Sequence, residues 1–407
     1  MVGLALLTRA AYLLAFRPPV ESYYFALADN LITSGVLGLD GRPSTAFEPV
    51  YPMFLAVARR VFGGRVLMIQ LLQILAAALG APLLYLLTRR LSGSERAALV
   101  AGALFAVHPL LIRQASAATD LSLATIFVLA STLAFVSIRD LRSAAIAGVL
   151  LGLTVLTRSM VLPLVALTGA ILFAQGRRSF AIVLVLCALA VIAPMAARNY
   201  AVSGSLTPTR SGINLYIGNS PYTADLLPDD DLDLLEPEGY ERFVRAHPTV
   251  DENAPGFDAQ FDAFLTRLAV QHIVEDPLRT IRQKLLNVAY LLSPRLAPYR
   301  ISTSDTRVRI DENGTAQVIG SAARTALEVW SYAAAGCVLL VGTIAGVLYR
   351  RRELHRDAVL WAVAAVFIGV NALYVPATRY MAPMLFVMMF YTGVAVGMTG
   401  TTRAGIR

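Results

Sequence analysis

Residues 66–90 read VLMIQLLQILAAALGAPLLYLLTRR. An unbroken apolar run of bilayer length that closes on paired arginines marks a membrane helix with one end fixed in the aqueous phase. The same pattern extends along the chain in both directions. Further apolar runs lie at 97–112, 121–138, 144–156, 160–174 and 180–196, and again at 327–348, 358–375 and 380–398. Residues 2–16 form a shorter run that carries Arg9. No small-residue cleavage site follows it, so a first membrane helix is expected there instead of a removable leader. The expected fold is an all-α polytopic membrane protein with about ten transmembrane helices.

Composition agrees. Of 407 residues, 57% are hydrophobic and 15% charged, too apolar for an ordinary soluble enzyme. The two cysteines, Cys187 and Cys337, fall inside apolar runs, which excludes a disulfide framework or a cysteine metal site. The formal charge is +8, but the basic residues come in short clusters between the runs. That distribution describes membrane topology, and no nucleic-acid partner is expected.

The clusters set an orientation. Arg89, Arg90 and Arg96, then Arg139 and Arg142, Arg177 and Arg178, Arg350, Arg351, Arg352 and Arg356, and the Arg403–Arg407 tail all fall on alternate loops. The positive-inside rule makes that side cytoplasmic. Residues 17–65, 113–120, Arg158, 197–323 and 376–379 then lie outside. The expected organisation is a membrane module at 1–196 with its first external loop at 17–65, an external region at 197–323, and C-terminal helices at 324–407. The expected location is the plasma (inner) membrane, with a site on the periplasmic or extracellular face.

The segment 197–323 holds 17 of the 27 acidic residues. Asp229, Asp230, Asp231, Asp233, Glu236 and Glu238 lack the spaced Gly and Glu of an EF-hand and read as a solvated acidic loop. Over 261–292, apolar residues at helical spacing mix with Arg267, Arg279, Arg282 and Lys284, predicting amphipathic helices on the membrane surface. Lys284 is the only lysine, a bias that fits a high-GC bacterial or archaeal genome.

Charges beside a bilayer are costly, so each is a site candidate. Glu21 and Asp120 both fall at the external face, although Asp120 also reads as a helix N-cap. Arg158, Arg198 and Arg379 sit at outer ends of spans, against the positive-inside trend. Together they suit an anionic, membrane-embedded substrate, since a guanidinium fork matches a pair of phosphate oxygens. His108, before Pro109, reads as a metal ligand or, more ordinarily, a hydrogen-bonded structural residue. No nucleotide-binding fingerprint occurs.

These motifs, in this order, resemble the GT-C membrane glycosyltransferases, especially the branch of protein O-mannosyltransferases and the lipid A aminoarabinose transferase. Glu21, Tyr24 and Ala28, then Pro49-Val50-Tyr51-Pro52, match its first external loop. Thr119-Asp120 matches its second acidic motif, and Gly148 to Arg158 its Gly-Leu…Thr-Arg helix. Arg198-Asn199-Tyr200, Gly212 to Pro221 and Arg379-Tyr380 fit its later features. Two positions depart: Val20 stands where the first acid of a pair is common, and Phe47-Glu48 where Arg precedes Pro-x-Tyr-Pro.

The resemblance implies a sugar donor on a polyprenyl phosphate, used at the outer face with inversion. The acceptor is a hydroxyl of a lipid, glycan or protein. Glu21 is the expected base, with Asp120 or Glu48 sharing the work. Arg158, Arg198 and Arg379 are the expected phosphate ligands, and Tyr24, Tyr51 and Asn219 the expected substrate contacts. A divalent cation, Mg²⁺ or Mn²⁺, on Glu21, Asp120 and His108 stands as an alternative to charge balance by arginine alone. A transporter or flippase of a lipid-linked saccharide, or a non-catalytic scaffold, are the competing classes; no internal repeat favours the first.

Overall fold

The computed structural model describes residues 1–18, 20, 22–252, 254 and 256–398. The chain opens with α1 (Val2–Phe16) and α2 (Ser22–Ser34), then a two-stranded hairpin, β1 (Gly38–Leu39) with β2 (Arg42–Pro43). There follow α3 (Val50–Phe62), α4 (Val66–Ala78), α5 (Gly80–Ser92), α6 (Glu95–Val107), α7 (Pro109–Ser116), α8 (Asp120–Val136), α9 (Leu141–Thr157), α10 (Pro163–Ala174) and α11 (Arg178–Ser203). The next part holds α12 (Ser211–Asn219), α13 (Thr223–Leu226), α14 (Glu236–Ala246), α15 (Phe257–Glu275) and α16 (Pro277–Leu292). After it come β3 (Arg300–Ile301), β4 (Arg307–Ile310), β5 (Ala316–Ile319) and β6 (Ala322–Ala323), paired as β3–β6 and β4–β5. The C-terminal helices are α17 (Ala326–Arg350), α18 (Ala358–Leu373) and α19 (Leu385–Met398), with a 3₁₀ turn at Thr378–Met384 before the last.

Each apolar run of the sequence is helical. Five helices are long and apolar enough to cross a bilayer alone: Val66–Ser92, Arg178–Ser203, Ala326–Arg350, Leu354–Leu373 and Thr378–Gly397. The pair α6 and α7, bent by 50°, makes a sixth. Val2–Phe16, Asp120–Val136, Leu141–Thr157 and Ser159–Ala174 are apolar but shorter. α11 runs unbroken to Ser203, past the end of the apolar run at 196.

The bend between α6 and α7 has a chemical cause. Pro109 has no N–H, so the carbonyls one turn earlier lose their helical partner. In a membrane interior these must be satisfied from elsewhere. Arg9 of α1 does this: its Nη1 donates to the carbonyls of Ala5 (3.1 Å) and Ala106 (3.0 Å), and its Nη2 to that of Phe105 (3.3 Å). Thr8 adds a hydroxyl to Ala106 at 2.8 Å. The charge in the first run is thus a buried backbone cap.

The other end of α7 is closed in the same way by α4. Gln70 donates to the carbonyl of Ser116 (2.8 Å), and Gln73 to those of Gln114, Ala115 and Thr119 (3.3, 3.3 and 3.2 Å). Helix packing elsewhere depends on missing side chains. On α9, a Cβ at Gly148 would come within 2.3 Å of the Leu184 carbonyl, and one at Gly152 within 2.7 Å of Val191, both on α11. The G-x-x-x-G spacing lets the two backbones touch where lipid offers no hydrophobic drive between helices.

The arginines expected on one side do share one end of the bundle. Arg90 donates to the carbonyl of Val136, the last residue of α8, and Arg177 to that of Ile138, just past it. Arg350 is buried and bidentate on Asp357, which also accepts from Tyr391. The tail from 399 onward lies outside the described residues.

Two outcomes test this account. Arg9→Met should lower the thermal midpoint in detergent, since each buried carbonyl left bare costs about 1–3 kcal/mol; exposed Arg60→Met should not. Gly148→Ala should destabilise by about 1–3 kcal/mol through overpacking, whereas Gly369→Ala, whose added Cβ meets nothing within 4 Å, should be silent.

Candidate active site

At the end of the bundle opposite the Arg350 pair, side chains from three parts of the chain converge on Tyr380. α8 begins at Asp120, buried, with Thr119 as the preceding cap residue. The Asp120 carboxylate is engaged by Arg158, at the end of α9, at 2.7 Å. It serves as an ion-pair partner here, and it also sits favourably on its helix's positive end. The Arg158 guanidinium lies over the Tyr380 ring, 4.9 Å from its centre.

Arg379 covers the same ring at 4.8 Å. Its fork reaches two carboxylates, Asp231 Oδ2 and Asp233 Oδ2, each at 2.6 Å, and donates to the Tyr380 hydroxyl at 3.1 Å. Arg210 extends the array to Glu236 at 3.1 Å. The acidic run read as a solvated loop is thus corrected: two of its members are ligands of Arg379. Burial and the Asp231 carboxylate push the Asp233 carboxyl up to about 6, against the pull of Arg379 and Arg210.

The expected residues divide. Asp120, Arg158 and Arg379 come together, and Tyr24 joins them. Burial, and then the field of Asp120, raise its hydroxyl well above the usual phenol range. Tyr24 also packs edge-on to Tyr51 at 4.7 Å. Glu21 lies outside the described residues. Glu48 accepts from the Ser159 amide (2.9 Å) and hydroxyl (2.7 Å), so it fixes the turn that follows Arg158.

Three assignments are redrawn by contacts. Tyr51 is 1% exposed and donates to Gln73 Oε1 at 2.8 Å, which fixes its hydroxyl inside the protein. Arg198 spends its fork on two carbonyls of the first external loop, Ser44 (2.5 Å) and Leu37 (2.7 Å). It clamps the hairpin to α11. Asn219 donates to the carbonyls of Leu215 (2.8 Å) and Leu373 (3.1 Å), joining α12 to the end of α18.

Sequence reading missed a further cation. Arg324 donates its Nε to the Pro298 carbonyl at 3.0 Å, but its buried Nη1 has no hydrogen-bond partner. Burial, then the charge of Arg113, lower its guanidinium to about 10, with Arg379 adding to the repulsion. Such a group favours an incoming anion. Only the buried donor marks it, and no spacing rule could have shown that.

Metal ligation finds little support. No group of three His, Cys, Asp or Glu side chains comes together among the described residues. His108 is buried edge-on to Tyr332. Asp120 already holds Arg158.

Residues 42–197 match the family model described as dolichyl-phosphate-mannose-protein mannosyltransferase. The fold is similar to that of the archaeal oligosaccharyltransferase AglB from Archaeoglobus fulgidus, solved with an inhibitory peptide and a dolichol-phosphate. That match has a TM-score of 0.51 at 16% identity and covers 100% of this chain and 52% of that one. The chain thus spans about half the length of that enzyme. ArnT from Cupriavidus metallidurans bound to undecaprenyl phosphate aligns with a TM-score of 0.44 at 14% identity, over 99% of this chain and 78% of that one. A comparison with curated proteins gives no match. The chain is thus a multi-pass membrane protein with a fold similar to that of AglB, and its residues 42–197 match the mannosyltransferase family model.

Arg379→Lys tests the geometry independently of activity. Lysine reaches one carboxylate where the fork reaches two, a loss of about 1.5–3 kcal/mol. Chymotryptic cleavage within 226–235 should accelerate severalfold, while Arg300→Lys, whose pair with Asp230 is long at 3.5 Å, should leave it unchanged.

Proposed function

We propose that the protein is a membrane glycosyltransferase that moves a sugar from a polyprenyl-phosphate donor to an acceptor hydroxyl at the external face, with inversion. The observation that carries this reading is the Asp120–Arg158–Tyr380–Arg379 array at one end of the bundle, within a chain whose N-terminal part matches a sugar-phosphate-lipid transferase family. The loop charges support an external placement of that end.

In the proposed step, a carboxylate takes the proton of the acceptor hydroxyl as its oxygen attacks the anomeric carbon. The bond from that carbon to the phosphate oxygen breaks, and the phosphate leaves on its lipid. Glu21 is the proposed base on its place in the motif, and Asp120 orients through Arg158. Arg324, with a donor free, and Arg379 are the proposed partners of the leaving phosphate, where preorganised charge has most effect. Any divalent cation would have to displace Arg158 from Asp120, so no step is routed through one.

Purified protein in nanodiscs, given a panel of synthetic polyprenyl-phosphate sugars and membrane-extract acceptors, should transfer sugar. Glu21→Gln should lower turnover by about a hundredfold or more, and near-wild-type turnover would remove Glu21 as the base. Arg324→Gln should raise the KM for the donor by about tenfold through loss of a charged contact. Lipid translocation without transfer would replace this reading with the flippase.

A further inference from the structure

A second recess lies away from Tyr380. α14, α15 and β4 enclose an open cleft of about 510 Å³, within the range of about 300–1,000 Å³ typical of small-molecule sites. Its charged wall is α14, where Glu238, Glu241, Arg242 and Arg245 follow the i, i+3, i+4, i+7 rule and share one face. Glu238 pairs with Arg242 and Glu241 with Arg245. Tyr222 and Phe264 supply aromatic surface.

A helix face of this kind is most often plain solvated surface. Two features set this one apart. It is roofed by Phe264 from α15 and Ile310 from β4, and the Glu238 side chain is only 12% exposed. Glu238 is also fixed from behind by the Tyr216 hydroxyl, and Arg242 in turn donates to the Tyr222 hydroxyl at 3.1 Å. Glu238 and Arg242 are thus held in place before any ligand arrives, while Glu241 and Arg245 form an exposed pair at the rim.

The composition selects a ligand class. Two carboxylates against two guanidiniums leave no net charge, so neither an anion nor a cation is favoured. Hydroxyl groups, which both donate and accept, can bridge a carboxylate and a guanidinium together. The aromatic and aliphatic side of the cleft suits the C–H face of a sugar ring. Position adds a role: Glu236, at the start of α14, is bound to Arg210 in the array around Arg379. Arg242 is six residues further on, about 9 Å along the helix.

We propose that this cleft binds a neutral oligosaccharide, the part of the acceptor remote from the reacting hydroxyl. The acceptor role rests on the transferase reading; the binding does not.

Wild-type protein in nanodiscs would be titrated with maltotetraose, mannotetraose and cellotetraose, followed by saturation-transfer NMR. Tetragalacturonate and a Gly-Ser hexapeptide serve as the charged and peptidic alternatives. At least one neutral tetrasaccharide should bind saturably. Ala246→Trp, which fills the cleft from an exposed position, should weaken that binding at least tenfold with an unchanged thermal midpoint. The rim variant Glu241→Ala/Arg245→Ala should weaken it severalfold and guards against misfolding of the first. Saturable binding by none of the three, equal binding in Ala246→Trp, or binding of tetragalacturonate or the peptide alone would overturn the proposal. Transfer to a simple alkyl alcohol should be unaffected by Ala246→Trp. If transfer fails in wild type while saccharide still binds, the transferase reading falls and the cleft stands.

Discussion

Tyr380 is held between two guanidinium groups, and each is fixed by carboxylates from a different part of the chain. Asp120 ties Arg158 to the start of α8, and Asp231 with Asp233 ties Arg379 to the segment before α14. Removing Asp120 would leave Arg158 without its ion-pair partner. Buried pairs of this kind add little net stability, since desolvation offsets most of the attraction. What they supply is position: the helices and the segment before α14 share one joint, with its charges held in fixed orientation. Preorganised charge is the usual source of catalytic electrostatics.

That joint depends on a constraint deeper in the bundle. A membrane chain must satisfy every backbone polar group internally. The break before Pro109 violates this locally, and Arg9, Gln70 and Gln73 repair it. The repair also transmits position. Gln73 accepts from the Tyr51 hydroxyl and donates to the carbonyl of Thr119, the residue before Asp120. The Pro-x-Tyr-Pro motif thereby sets the height at which α8 starts. Its tyrosine is linked to the start of α8 through one glutamine and one carbonyl.

The parts of the fold governed by local rules were legible in the sequence. Apolar runs gave the helices, and Asp120, Arg158 and Arg379 were found because charges at span ends are costly wherever the chain goes. Residues whose meaning depends on distant partners were not legible. Arg198 looked like an anion ligand, yet its fork meets carbonyls more than 150 positions away in sequence. Asp231 and Asp233 looked like solvated acids because their partner, Arg379, lies 146 and more positions further along. A hydropathy pattern carries no information about which external loop folds back over which helix end.

The arginine bias, read from composition as a genomic habit, has a structural consequence. At each joint a single fork bridges two acceptors: Arg198 joins two carbonyls, Arg379 two carboxylates, and Arg350 both oxygens of Asp357. An ammonium on a flexible stem is a point charge and cannot fix a plane in this way. The single lysine shows the contrast. Lys284 donates to one carbonyl, that of Gly218, at 2.7 Å. Gly218 packs so closely on the Tyr374 backbone that an added Cβ would fall 1.8 Å from its carbonyl oxygen. A compact donor suffices where backbone contact already sets the geometry. Where helix ends and loops must be aligned across open space, the planar fork is the element that sets it.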